Sequence, residues 1–543
     1  MQLPSRLALL VLAFSSLSAS AHNGPDPESP TSAAGEVAFE NSGAPGAQKD
    51  FLYGLAQLHN FQYESAADAF RRAQAIDPSF AMAYWGEALT YDHPVWVEED
   101  VAAARAALNR LGSTPLERRQ KANSDREKAY LDAVETLFGQ GSKQDRDRRY
   151  ALAMERVHRT YPEDIDATCF YALSLLGSVQ GIRDVPTYMR SAALTEDVFE
   201  HHPHHPGAAH YLIHSVDDAA HAPLGLRAAD AYSQIAADSP HALHMTSHIY
   251  LALGMWQKTA AANEASTEVG LHAYRLKHPT GNPTLCGHAR QWLLYAYLQQ
   301  ERFDAARQIL DVCAQEMRDR PSSPTVADPY TGEPHPVTAY YSARARFLID
   351  SEAWDDAYAK VDDAPLDLPS AAFARDATNA FVLLRKNAKE ADSAVARAER
   401  SGNHLLAAGK QFGLADDHPA QEATRIQLDE LRALLQLREG QRDPALKLLE
   451  DAARREEALP MDFGPPTITK PANELLGEVL LGLGRTDAAR GAFDKAQRLA
   501  PGRTKSLLGL SKCAALLKDQ ELAASVNAKI EQTRKEAQRS KQL

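Results

Sequence analysis

The chain has 543 residues, with 59 Lys plus Arg against 72 Asp plus Glu and a formal net charge of −13. Such an acidic surface repels polyphosphate and anionic lipid headgroups, so no nucleic-acid partner is expected. No stretch approaches the roughly 20 apolar residues of a membrane-spanning helix, so no membrane insertion is expected either.

Residues 1–21 read as a secretory signal peptide. Arg6 gives a positive start, Leu7 to Phe14 a compact apolar run, and Ala19 and Ala21 the small residues before a cut. A periplasmic or secreted location is the expectation. Residues 22–47 are rich in Pro, Gly, Ser and Ala, with few large apolar groups, and read as a flexible leader.

From residue 48 onward the pattern is helical and repetitive. Gly54, Ala66, Phe70, Ala73 and Pro78 share one spacing with Gly477, Ala489, Phe493, Ala496 and Pro501. A small residue in a first helix admits a second helix closely, and Ala, Phe and Ala at i, i+4 and i+7 make that helix's packing stripe. Proline then ends the unit. Weaker copies stand at Tyr297, Ala306 and Leu310, at Trp354 and Ala357, and at Ala445, Leu449 and Ala452.

This pattern resembles the tetratricopeptide repeat (TPR), a helix pair with a period of 34 residues. The resemblance implies an all-α solenoid of stacked antiparallel helix pairs. It divides the chain into an array over 48–317, a Pro-rich loop over 318–337 and a second array over 338–543. A shorter loop falls at Pro279–Leu285. The stretches AMAYWGEALTYDHPVW, PGAAHYLIHSVDD and HALHMTSHIYLALGMW are also similar to a group of large bacterial repeat proteins. That likeness implies the solenoid and carries no activity with it.

The candidate chemistry lies in histidine. Ten of the 20 histidines fall between residues 201 and 248. Pro206 to His214 and Pro240 to His248 both read P-x-x-x-H-x-x-x-H, one repeat period apart. Proline at the first turn fixes each helix start. An i, i+4 pair then projects from one face, and equal register puts His210, His214, His244 and His248 on one side of the stack. His241, His221 and Asp217 are the nearest candidates for further ligands or for orienting them. His93, one period after His59, is a reserve ligand. Imidazole donors suit a transition metal such as copper, zinc or iron rather than magnesium or calcium. Binding is expected to weaken as pH falls through the histidine range near 6.5.

Other features read more plainly. The run His201 to His205 is expected to be a solvated turn. Cys169, Cys286, Cys313 and Cys513 have no C-x-x-C spacing and are expected as buried single thiols. Glu474 and Glu478 are expected to cap a helix or face solvent. No nucleophile elbow, phosphate loop or H-E-x-x-H motif is present.

Two functional classes remain. One is an exported solenoid binding a transition metal in a concave groove, extending to a metal-dependent oxidoreductase or hydrolase of the cell envelope. The other is a scaffold for protein interaction without catalysis. Either would hold a protein or small-molecule ligand in its groove.

Overall fold

The computed structural model describes residues 34–179, 182–281, 283–319, 335–362 and 366–539. The signal peptide expected over 1–21 lies outside these residues, as does most of the Pro-rich loop. Twenty-four α-helices follow one another among the described residues. Their single strand pairing is the two-residue antiparallel ladder of Asp92–His93 with Glu98–Glu99.

The repeat stripe packs as its spacing requires. Helix Gln48–His59 pairs with Tyr63–Ile76, and helix Ala472–Gly482 with Thr486–Leu499. Phe70 and Phe493 are almost completely buried. A Cβ on Gly54 would stand 3.0 Å from the Phe70 ring, and one on Gly86 only 2.4 Å away. The same arrangement recurs around Phe493, at 2.8 Å from Gly477 and 2.4 Å from Gly509. Each aromatic is therefore clamped between glycines of its own unit and of the next, which extends the sequence repeat by one position. Ala306, Leu310, Ala445, Leu449 and Ala452 are likewise buried. The copy at Trp354 and Ala357 departs from the pattern. Helix Pro336–Ser351 leads there into a short 3₁₀ turn, Ala357–Ala359, where a second helix was expected.

The leader expected to be flexible is packed over its described part, and residues 22–33 lie outside the described residues. From Ala34 on it packs against the first repeats, because Phe39 supplies the large apolar group its neighbours lack. The Phe39 ring lies 5.5 Å from Phe51, 5.7 Å from Trp85 and 5.3 Å from Tyr130. Nearby, the Asn60 amide donates to the Ala34 carbonyl at 2.8 Å.

The stack bends until its last repeats touch its middle. The Trp256 indole N–H donates to the Gly502 carbonyl at 2.9 Å, and the Thr504 N–H to the Gln299 amide oxygen at 2.9 Å. Arg503, buried, is paired with Asp350 and Glu474. Glu474 also accepts from Lys470 at 2.9 Å. It is therefore a buried member of the closure, not the capping or solvated carboxylate that the sequence suggested.

Cysteine also departs from expectation. Cys286 and Cys313 form a disulfide, since Cys286 precedes helix His288–Gln299 and Cys313 lies on the partner helix Phe303–Asp319. Cys169 and Cys513 are buried free thiols. No helix among the described residues is long and apolar enough to cross a membrane.

Candidate metal centre

Two matched helices carry the site. Helix Pro206–Val216 starts with Pro206 in its first turn, capped by the His205 ring, which accepts from the Ala208 N–H at 3.3 Å. Helix Pro240–Ala252 starts with Pro240 and is capped by Ser239, whose hydroxyl accepts from Ala242 at 3.2 Å. The P-x-x-x-H-x-x-x-H segments thus begin their helices at the same point. His210 and His214 face the same space as His244 and His248, with the His214 and His248 rings 5.7 Å apart.

The ligating atoms fall into sets of three, each with its members within 4.8 Å of one another. One set is His210, His214 and His241. Another is His244, His248 and His288. A third, His214, Asp217 and His248, joins them. Four of these rings are at most 5% exposed, so the centre is nearly enclosed where an open groove was expected. His241 and His288 are half-buried and form its outer edge. Phe463, from the loop before the last strong repeat, stacks on His248 at 5.1 Å. Trp292 lies 4.4 Å from the same ring.

Neighbouring groups fix which nitrogen of several rings carries the proton. The His210 Nδ1–H donates to the His59 carbonyl at 2.6 Å. The His248 Nδ1–H donates to the Asp217 carboxylate at 2.7 Å. The His244 Nδ1–H donates to Asn263 Oδ1 at 2.7 Å, and the Asn263 amide group is oriented by donating to the Thr259 carbonyl at 2.8 Å. A neutral imidazole has one N–H, so Nε2 in each of these rings is a bare lone pair. Yet His244 Nε2 and His248 Nε2 are only 3.1 Å apart. His210 Nε2 is also 3.1 Å from His241 Nε2. His214 Nε2 is buried with no hydrogen-bond partner among the described residues.

Burial holds all five of His210, His214, His241, His244 and His248 well below the ordinary histidine range, with neighbouring imidazoles adding to the effect for each. His288 is pushed down to about 4, again chiefly by burial. The rings are thus neutral near pH 7. Burial raises Asp217, and the Arg183 guanidinium paired with it opposes that rise.

No family model and no curated protein matches the chain. Among solved structures it is similar to a human IFIT1 dimer with m7Gppp-AAAA, at 11% identity over 93% of this chain and 91% of that one, TM-score 0.32. It is also similar to yeast Tom70, at 12% identity over 89% and 99%, TM-score 0.31. The TPR domain of P58(IPK) aligns at 12% identity over 88% and 99%, TM-score 0.21. The stacked helix pairs and their repeated packing stripe, described above, make the chain an almost wholly helical TPR-like solenoid.

Two expected site residues stand apart from the ligand sets. His221 turns away to cap its own loop, with Nδ1 2.8 Å from Asp218. His93, on the short ladder, stacks on Tyr63 at 4.0 Å and lies 3.5 Å from Glu98. The aromatic Tyr63 and Trp96 separate it from His241. In the run His201 to His205 the exposed turn holds for its first members, but His205 is buried. There it joins His59 and Asp166, whose carboxylate accepts from His59 Nε2 at 2.8 Å.

Sequence reasoning missed His288 and Phe61. His288 occupies the start of its helix as His241 does one unit earlier, and both precede alanine. The long helix Trp256–Lys277 and the insertion at Pro279–Leu285 together displace it from the 34-residue period and hide the match. Phe61 stands where the last strong repeat has Gly484, and both have positive φ. A bulky residue in that conformation costs roughly 1–2 kcal/mol. The turn delivers its ring 4.3 Å from His210 and 5.4 Å from His241, walling the centre.

Proposed function

We propose that this TPR-like scaffold binds a transition metal through its histidine centre and works outside the cytoplasm, with copper, zinc or iron as the candidate ions. One observation carries the reading. His244 and His248 point bare Nε2 lone pairs at each other across 3.1 Å, with both Nδ1–H groups committed elsewhere. Two lone pairs at that separation repel unless a cation lies between them. Two nitrogens each ~2.0–2.1 Å from one ion come naturally to such a spacing. The carbonyl, amide and carboxylate behind the rings are the kind of partners that fix ligating histidines. The neutral state of the rings supplies the deprotonated donors that metal binding needs.

The double variant His210→Ala with His244→Ala is expected to lose tight zinc and copper binding while keeping its helical far-ultraviolet spectrum, since the packing stripe lies elsewhere. Titration of both proteins by calorimetry tests this. Equal affinity in variant and wild type would leave only the protein-interaction scaffold.

The export reading rests on the composition of residues 1–21 and is supported by the Cys286–Cys313 disulfide, a bond favoured in oxidising compartments. Mass spectrometry of protein recovered from its native host is expected to find the chain beginning after Ala21. A retained Met1 in the cytoplasmic fraction would reject it.

A further inference from the structure

The reading of one metal centre leaves more donors than one ion can use. The six rings separate into His210, His214 and His241 on one side and His244, His248 and His288 on the other, with no shared member. Each set has its own close pair of Nε2 atoms at 3.1 Å. The sets are neighbours: His214 and His248 both approach Asp217 Oδ2, at 3.9 and 2.7 Å.

We propose that the centre holds a pair of copper ions, one in each set of three histidines, and that the cuprous pair reversibly binds one dioxygen molecule. This rests on the metal reading above and adds the number of ions, their identity and their ligand.

The argument for copper is one of charge. All six ring donors are neutral. Asp217 and Asp218 bring two negative charges, and Arg183, paired with both, cancels one. Two buried dications without a bridging anion would leave a large uncompensated charge, whereas two cuprous ions leave a small one, and in the oxygenated state the peroxide dianion offsets the added charge of the cupric pair. Imidazole donors suit copper among the available ions, and three of them satisfy a cuprous ion while leaving an approach open. The surroundings are apolar, as a dioxygen ligand requires: the rings of Phe61, Trp96, Trp292 and Phe463. His241 and His288 at the edge are partly exposed, so this is the side nearest solvent.

The step balances without an outside reductant. Each cuprous ion gives one electron, dioxygen takes both and is held as peroxide between two cupric ions, and no proton moves. Return of both electrons releases dioxygen. An intervening substrate is not required.

The test uses the full mature chain, loaded anaerobically with cuprous ion and dialysed. Two copper ions per chain are expected, together with uptake of one dioxygen per pair and its recovery under vacuum. His241→Ala and His288→Ala remove edge ligands and spare the buried core. Each is expected to retain one copper ion and to lose dioxygen uptake. One copper per wild-type chain would overturn the pair while leaving a single metal centre standing. Two coppers without dioxygen uptake, or displacement of both by equimolar zinc under anaerobic conditions, would overturn the oxygen-binding copper assignment. No tight metal of any kind would remove this inference and the metal reading together. The wild-type stoichiometry decides between these outcomes even where a variant fails to fold.

Discussion

Phe70→Ala and Phe493→Ala are each expected to lower stability by about 3–5 kcal/mol, the usual range for emptying a buried aromatic site. Both rings are clamped by glycines that cannot fill the space left behind. The two losses should nevertheless spread differently. Repeats of a solenoid contact their neighbours, so damage normally stays local. Around Phe70 the affected shell includes Phe51 at 5.8 Å and the glycine of the next unit, and the exit of its own unit, at His59 and Phe61, touches helix Pro206–Val216. Phe493 belongs to a unit whose exit, at Gly502 and Arg503, grips Trp256, Asp350 and Glu474. Loosening it should therefore also release the contact between the last repeats and the middle ones. Hydrogen exchange read by mass spectrometry separates the cases. Phe70→Ala should deprotect the first units and helix Pro206–Val216, and Phe493→Ala should deprotect its own unit and helix Trp256–Lys277. Deprotection confined to the Phe493 unit in Phe493→Ala, with helix Trp256–Lys277 unchanged, would show that closure does not couple the ends.

The fold was legible because its cause is short-range. A glycine, two alanines and a phenylalanine at fixed spacing specify a helix pair, and two distant copies fix the register. The metal candidates were legible in part for the same reason, since His210 with His214 and His244 with His248 are i, i+4 pairs. What the sequence hid depends on distant chain segments. His288 is brought in by a unit whose long helix and insertion together break the period. The tautomers are set by the His59 carbonyl, by Asn263 and by Asp217, none of which carries a motif. Phe39 was passed over because one aromatic in a Pro- and Ser-rich segment has no periodicity. His93 and His221 had good spacing but lost to nearer partners, Tyr63 and Asp218. Enclosure of the centre follows from Phe463, which reaches it only because the solenoid closes on itself.

The metal-free protein is expected to lose stability steeply as pH falls below about 6.5, the value at which an unfolded chain's histidines titrate. His210, His214, His241, His244 and His248 are all held well below that value in the fold, and His288 is pushed down to about 4, with burial the main cause. Above pH 6.5 both states carry neutral rings, and these groups add no pH dependence. Below it the unfolded chain binds protons that the folded chain refuses, so stability must fall with pH. Each refused proton costs about 1.4 kcal/mol per pH unit until the folded ring titrates. Several acting together rival a whole fold's margin of about 5–15 kcal/mol within one or two units. The same shift moves proton competition for the metal below the 6.5 expected from sequence, because the rings stay neutral in the folded state. Urea midpoints measured in chelator at pH 7.5, 6 and 5 test the slope, with His210→Gln plus His244→Gln expected to flatten it. A midpoint unchanged between pH 7.5 and 5 would mean that the folded rings take up protons readily. A proton would then sit between His244 and His248, and the facing lone pairs would need no metal to reconcile them.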